Sequence, residues 1–452
     1  MALPPGPAAP AIVQSIQWVA KPCEFMDRSA ERFGDAFTLK MANFGEIVMF
    51  SDPAVIRQIF TGDPEVFYAG QGNELLRPLL GDRSMLLLDS AQHLEERRLL
   101  MPPFHGQRMR HYGELIKRAT EELTRRWPVG RVVPVHEMMA EISLDVILEA
   151  VFGLEQGGRL EAFREVLKAL IKVGSNPGLL FLSPMRWDLG PWSPGGSIKR
   201  LDASFRALLN DEIRLRRASG VEGRQDIMSL LLEARYEDGG QLGEDALRDE
   251  LLTMLIAGHE TTATALSWAL IWLHRTPKAL SRLLEEIDGL GSGADAEEMA
   301  KLPYLTAVCR ETLRLQPIIP IVARRLQAPV TLGAWSLPAG VIVSPCIYLT
   351  HRRPELYPNP QAFEPERFLD EKFTPYTFLP FGGGTRRCLG MAFAMYEMKI
   401  VLGTLLENFG FESAGEVKVV RRNVTLAPSG GAPLRVASRR IRRAGMAAAQ
   451  GG

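Results

Sequence analysis

The apolar positions of this chain follow two regimes. Between about Asp89 and Met299 they recur at helical spacing; on either side they shorten into strand-like runs or give way to loops. The longest apolar stretch, Leu251 to Leu273, would be long enough to span a bilayer, but Gly258, His259 and Glu260 interrupt it near its middle. An ionisable pair at that depth is costly in lipid. The pattern therefore predicts a long helix through a protein core. Arg200 to Arg217 reads as an amphipathic helix, Glu24 to Phe33 as a shorter helix and Ile47 to Phe50 as a strand. The proline- and glycine-rich stretch Gly174 to Gly196 breaks the helical region. Val330 to Pro345 turns to short strands around Gly333 and Pro338-Ala339-Gly340. His351 to Phe381 is predicted as loop, punctuated by Pro354, Pro358, Pro360, Pro365, Pro375 and Pro380. Met391 to Phe409 is helical again.

Composition narrows the picture modestly. Hydrophobic residues make up 46% of the 452 residues, enough for a large core and outside the disordered range. Lys+Arg and Asp+Glu balance at 53 each, so no global charge points to nucleic acid or an anionic membrane. No repeat or linker divides the chain. One domain over residues 1–438 is expected, followed by a basic, then Ala/Gly-rich tail over 439–452. Met1 to Ala20 lacks a basic segment and a long apolar run, so neither a signal peptide nor a membrane anchor is expected. Cys23, Cys309, Cys346 and Cys388 form no C-x-x-C pair. That argues against a zinc cluster, a disulfide framework or an appended iron–sulfur module, and reduced thiols suit the cytoplasm.

One of those cysteines stands in unusual company. Cys388 lies in Phe381-Gly382-Gly383-Gly384-Thr385-Arg386-Arg387-Cys388-Leu389-Gly390, just before the predicted helix from Met391. A lone cysteine is most often a small buried hydrophobe. Here glycines allow a close backbone approach, and arginines and a helix N-terminus favour the thiolate that binds metal. No Gly-Lys-Ser/Thr follows, so the glycines are not a phosphate loop. The string resembles the haem-ligand loop of the cytochromes P450, Phe-x-x-Gly-x-Arg-x-Cys-x-Gly, and Phe381, Gly384, Arg386, Cys388 and Gly390 match every specified position.

Four further strings share the resemblance, in the family's order. Ala257-Gly258-His259-Glu260-Thr261-Thr262 reads at its blandest as a packing notch followed by threonines bonded back to their own helix. A zinc-protease reading fails, because position 263 is Ala263. The string is similar to the family's oxygen-activating segment. Releasing one atom of dioxygen as water consumes two protons, which a carboxylate and a hydroxyl can relay through water; the resemblance gives these roles to Glu260 and Thr261. Glu311-Thr312-Leu313-Arg314, otherwise an ordinary i,i+3 pair, resembles the family's Glu-x-x-Arg motif, and Phe363 to Phe368 resembles its Pro-Glu-Arg-Phe segment. The implied role of Glu311, Arg314 and Arg367 is a buried structural network. His93 and Arg97, one helical turn apart, resemble the family's early-helix pair for the haem propionates, joined by Arg324 and Arg386.

The resemblance spans about Asp89 to Phe409. It implies a mainly α fold with a small β-rich region, and haem b between the long central helix and the cysteine-ligand helix. It implies a monooxygenase that inserts one atom of O2 into a substrate, drawing electrons from NAD(P)H through a separate ferredoxin or flavodoxin. Arg97, Arg98, Arg386 and Arg387 are the candidate docking cations for such an acidic carrier. A monomer is expected. The pocket positions Met254, Leu255, Ala257, Ile318, Ile319, Val322 and Leu426 are apolar, which favours a fatty acid, terpenoid or steroid-like substrate. A peroxygenase is the alternative enzyme, which the Glu260–Thr261 pair disfavours. A haem–thiolate sensor is the non-catalytic alternative, and no sensory or DNA-binding module accompanies it.

Overall fold

A computed structural model of the chain describes residues 2–440 except 105, 107, 155, 156, 175–187, 191, 292, 293 and 371. Helices dominate. The Leu251–Leu273 stretch lies inside a 32-residue helix, Glu244–Arg275, whose N-terminal turn carries Glu244 and Asp245 and whose C-terminal turn carries His274 and Arg275, as the helix dipole favours. It is buried along much of its length and packs against Val135–Phe152. Within its polar interruption, buried His259 places Nε2 2.9 Å from the carbonyl oxygen of Ala140. No helix among the described residues is long and apolar enough to cross a membrane.

Met391–Asn408 forms the helix that follows Cys388. It crosses the long helix and Arg108–Thr124 within the main core cluster. The amphipathic helix runs over Pro194–Ser219, starting earlier than Arg200 because Ser193 caps it. The sequence break therefore ends at Ser193; most of that break, 175–187 with 191, lies outside the described residues.

Most of the β-structure gathers around a second, smaller core, while the sheet of Val132–Pro134, Phe409–Ser413 and Pro433–Arg439 packs into the main one. Five strands lie in the spatial order Ala36–Met41, Gly45–Phe50, Ile342–Pro345, Arg324–Leu326 and Phe67–Tyr68. The first two form a hairpin, and Gly45–Phe50 pairs parallel with Ile342–Pro345. This sheet joins the N-terminal region to the segment after Arg314: the predicted strand Ile47 to Phe50 shares it with Ile342–Pro345, while Val330–Leu332 and Trp335–Leu337, around Gly333, pair only with each other. A separate hairpin, Val419–Arg422 with Thr425–Pro428, turns at Asn423 with φ 52°. Residues 439 and 440, expected in the tail, are structured instead. Arg439 pairs with Phe409 in the last strand, and Arg440 Nη2 lies 2.7 Å from Asp288 Oδ2. Residues 441–452 lie outside the described residues.

Candidate active site

The site is a cavity of about 510 Å³ between the long helix, the Cys388 loop, the smaller core and the Val419–Pro428 hairpin. Cys388 lies on its wall. Two left-handed glycines, Gly382 at φ 67° and Gly384 at φ 65°, bend the loop. A side chain at Gly384 would press into the backbone of Phe60, with a Cβ only 2.2 Å from its carbonyl oxygen. The Cys388 amide donates to Phe381 O at 2.9 Å. The thiol is accessible, yet to the cavity, where little water surrounds it. Burial raises its pKa, while the Gly390 N–H, Arg97 and Arg387 pull it back down.

The other sequence-selected cations gather at one edge. His93, Arg97, Arg324 and Arg386 all line the cavity. Arg386 donates to Asp89 Oδ1 at 2.8 Å and Met85 O at 3.1 Å, and to Leu88 O. Arg324 is buried and donates to Ala323 O at 2.8 Å. Burial, with Arg386 beside it, lowers Arg324 to about 9; burial lowers Arg386 to about 10 despite Asp89. Burial and the neighbouring arginines hold His93 neutral, at about 3. Three guanidiniums thus meet one carboxylate, Asp89, in a poorly hydrated place. Such an excess of buried positive charge suits an anion with two carboxylates. The two propionates of haem would fit it, and Cys388, on the cavity wall, would offer a sulfur ligand.

Asp89 carried no signal in the sequence beyond its place before a helix, where it would be taken for a cap. Its carboxylate caps nothing there. It accepts instead from the amides of Gly70 and Gln71 at 2.7 and 3.0 Å, as well as from Arg386.

Thr261 and Glu260 both line the cavity, but they are not hydrogen-bonded to each other. Consecutive helical residues point about 100° apart. Thr261 Oγ1 donates to Ala257 O at 2.6 Å. Glu260 leans toward Arg422, whose Nε lies 3.4 Å from Oε1, and Arg422 Nη1 lies 3.2 Å from His136 Nδ1. Burial raises the Glu260 carboxyl against the pull of Arg422.

Of the expected pocket residues, Met254, Ala257, Ile318, Ile319 and Val322 line the cavity. Leu255 and Leu426 do not. Leu255 follows Met254 by one residue, so it turns into the main core, 1% exposed. Leu426 lies past the hairpin tip and is fully buried, its carbonyl accepting from Trp268 Nε1 at 3.0 Å. Asn423, Val424 and Thr425 at the tip reach the cavity instead.

Beneath the cysteine loop sits the charged network. Glu311 and Arg314 are fully buried and joined at 2.6 and 2.7 Å. Arg367 Nε approaches Glu311 Oε1 at 3.2 Å. Arg314 also donates to the carbonyls of His351, Pro360 and Ala362, each at 2.9 Å. A proline-rich loop without strand partners has its backbone acceptors satisfied this way. His351 extends the network. Its Nε2 accepts from the Leu379 amide at 2.9 Å, so Nδ1 carries the proton and faces Arg314 O at 3.2 Å. Burial and Arg314 keep this ring neutral. Leu379 stands two residues before Phe381, so the path from Glu311 reaches the cysteine loop through a histidine that no motif flagged.

Three of the four arginines expected to form a docking face, Arg97, Arg386 and Arg387, lie at the Cys388 cavity. Exposed Arg98 pairs with Glu237 at 2.9 Å. Arg387 both lines the cavity and is exposed at the surface.

One cysteine sulfur and surplus buried cations around a mostly apolar cavity are what a haem–thiolate protein requires. A sequence model of the cytochrome P450 family matches residues 4–431, and the chain belongs to that family. Cytochrome P450 135B1 of Mycobacterium tuberculosis is 40% identical to it, the match covering 100% of this chain and 95% of that one. Cytochrome P450 138 of the same species is 36% identical, over 95% of each. The retinoic acid-bound cyanobacterial CYP120A1 superposes with a TM-score of 0.84 at 26% identity, covering 96% of this chain and 99% of that chain. The cytochrome P450DA heme domain shares the fold, with a TM-score of 0.82 over 97% of this chain and 98% of that one. The protein is a haem–thiolate monooxygenase, an oxidoreductase of mainly α architecture with small β-sheets.

Proposed function

We propose that this monooxygenase oxidises a hydrophobic small molecule of the fatty-acid, terpenoid or steroid-like kind, with electrons reaching it from NAD(P)H through a separate ferredoxin or flavodoxin. The observation that carries the substrate reading is the cavity itself. Met254, Ala257, Ile318, Ile319 and Val322 present apolar surface over the space beside Cys388. Haem, when bound, supplies the reductive activation of dioxygen. Cys388 would hold its iron through the thiolate sulfur in this reading. Arg97, Arg324, Arg386 and neutral His93 hold the propionates, and Phe381, Gly384 and Gly390 shape the loop. Thr261 positions a proton-bearing hydroxyl beside Ala257 and Gly258. Glu260, reached through Arg422, which is 37% exposed, passes protons inward by way of water rather than by direct contact with Thr261.

The experiment is spectroscopic. Reduced protein with carbon monoxide shows the strongly red-shifted band characteristic of a haem–thiolate ligand, and Cys388→Ser loses it. Retention of the band in the variant overturns the ligand assignment. Difference spectra with fatty acids, terpenes and steroids then read the substrate class, and a cavity that responds to none of them overturns that part.

A further inference from the structure

One wall of the cavity carries a group that neither oxygen activation nor haem binding uses. Glu250, Met254, Ala257 and Thr261 all line it, and their spacing of 4, 3 and 4 places them on one stripe of the long helix. Glu250 is 1% exposed. Its Oε1 accepts the Met85 amide at 2.5 Å, and among the described residues its second oxygen makes no hydrogen bond and it has no ion-pair partner. Leu79, Leu80, Leu86 and Met254 are its apolar companions on the wall.

The surrounding charge is acidic. Glu96 and Asp249 both act on Glu250 in the direction of like charge. Asp249 is held by Arg206 Nη2 at 2.9 Å and the Arg83 amide at 2.9 Å. Glu96 accepts from Tyr236 Oη at 2.7 Å. Thr253 turns its hydroxyl away, donating to Asp249 O and bonding with the Ser84 hydroxyl. A carboxylate here would be desolvated, without a cation and beside two acids. Burial and those neighbours raise Glu250 well above the usual carboxylate range. Since Oε1 is the acceptor of an amide, the acid proton sits on the other oxygen. The result is a hydrogen-bond donor in an apolar pocket.

We propose that Glu250 anchors the substrate, donating a hydrogen bond to a carbonyl or hydroxyl oxygen on an otherwise hydrocarbon molecule. Glu250 lies seven residues before Ala257, about 10 Å along the helix axis. The oxidised carbon is therefore at the end of the molecule remote from that oxygen. This rests on the monooxygenase cavity proposed above and narrows its substrate class. An oxygenated terpenoid or steroid-like ketone or alcohol fits, whereas a carboxylate head at this end would meet Glu250, Glu96 and Asp249.

The test uses the haem-loaded full chain and titrates the substrate-induced Soret shift. The probes are bicyclic and tetracyclic ketones, the parent hydrocarbons, the corresponding carboxylates and trimethylammonium analogues. The ketones are expected to bind about tenfold more tightly than the hydrocarbons, the size of one net hydrogen bond. Glu250→Gln should keep that preference, because its amide can donate to the ligand and accept from Met85. Glu250→Leu should abolish it while leaving hydrocarbon affinity and the carbon monoxide band intact. Equal ketone preference in wild type and Glu250→Leu, no ketone preference in wild type, or tightest binding of the ammonium probe lost in Glu250→Gln, each overturns the anchor. Loss of the carbon monoxide band from wild type would instead overturn the ligand assignment, so the two failures are distinguishable.

Discussion

Removing the Arg314 guanidinium should cost the protein its haem before it costs it its fold. Arg314 makes two bonds to Glu311 and three to loop carbonyls, in a site fully shielded from water. Arg314→Ala leaves Glu311 with Arg367 at 3.2 Å as its remaining cation, and breaking a buried pair in this way costs about 3–5 kcal/mol. The carbonyls of His351, Pro360 and Ala362 lose their donor, at about 1–3 kcal/mol each. The low ends sum to about 6 kcal/mol, comparable with the roughly 5–15 kcal/mol stability of a domain. At about 2.1 cal/mol/K per residue, unfolding 452 residues carries an entropy near 0.95 kcal/mol/K, so Tm falls by only about 6 °C. The damage is local, however. The carbonyls released belong to the loop that His351 ties to Leu379, two residues before Phe381. The sensitive assay is haem per polypeptide after gel filtration, with Tm alongside. Arg282→Ala is the control, since that bridge to Glu366 is half exposed and is expected to shift Tm by at most about 1 °C. Full haem content in Arg314→Ala, with Tm within 1 °C of wild type, would refute the reasoning.

Two further outcomes follow from a cavity hydroxyl and a buried carboxyl. Thr261→Ala removes the hydroxyl bonded to Ala257 O; haem content should hold while product per NAD(P)H falls about 10–100-fold and hydrogen peroxide rises, and unchanged coupling would take Thr261 out of proton delivery. Burial pushes Glu397 up to about 8, and its Oε1 has no hydrogen-bond partner. A raised carboxyl contributes stability that is present below pH 4.5 and lost as pH rises toward 8, so Glu397→Gln should match wild type near pH 4.5 and exceed it by about 3 kcal/mol at pH 7; parallel urea-unfolding profiles across that range would show the carboxyl to be solvated.

What could be read in the sequence, and what could not, divides along a physical line. Local patterns were legible. The helix from Met391, the strands around Gly333 and the long core helix each arise from residues adjacent in the chain, so periodicity alone predicts them. The motif residues around Cys388, Thr261 and Glu311 were legible through the resemblance. The partners were not, because each lies on a segment far away in sequence. Asp89 answers Arg386, His351 joins Arg314 to Leu379, and Arg422 takes up Glu260. Nothing in the sequence next to Asp89, His351 or Arg422 marks these partnerships. The two misplaced pocket residues make the same point on a smaller scale. Leu255 and Leu426 have the right chemistry, but each lies one position from residues that line the cavity. On a helix that step turns a side chain by about 100°, and past a hairpin tip it moves the residue into the core. Apolar character says that a residue is buried; whether it faces a ligand or a packed core depends on direction. That is why Glu250 matters more than its neighbours. Several leucines around it would fit either place, but a carboxyl with an unbonded oxygen is costly in a packed core, and it is the cavity that gives it something to bind.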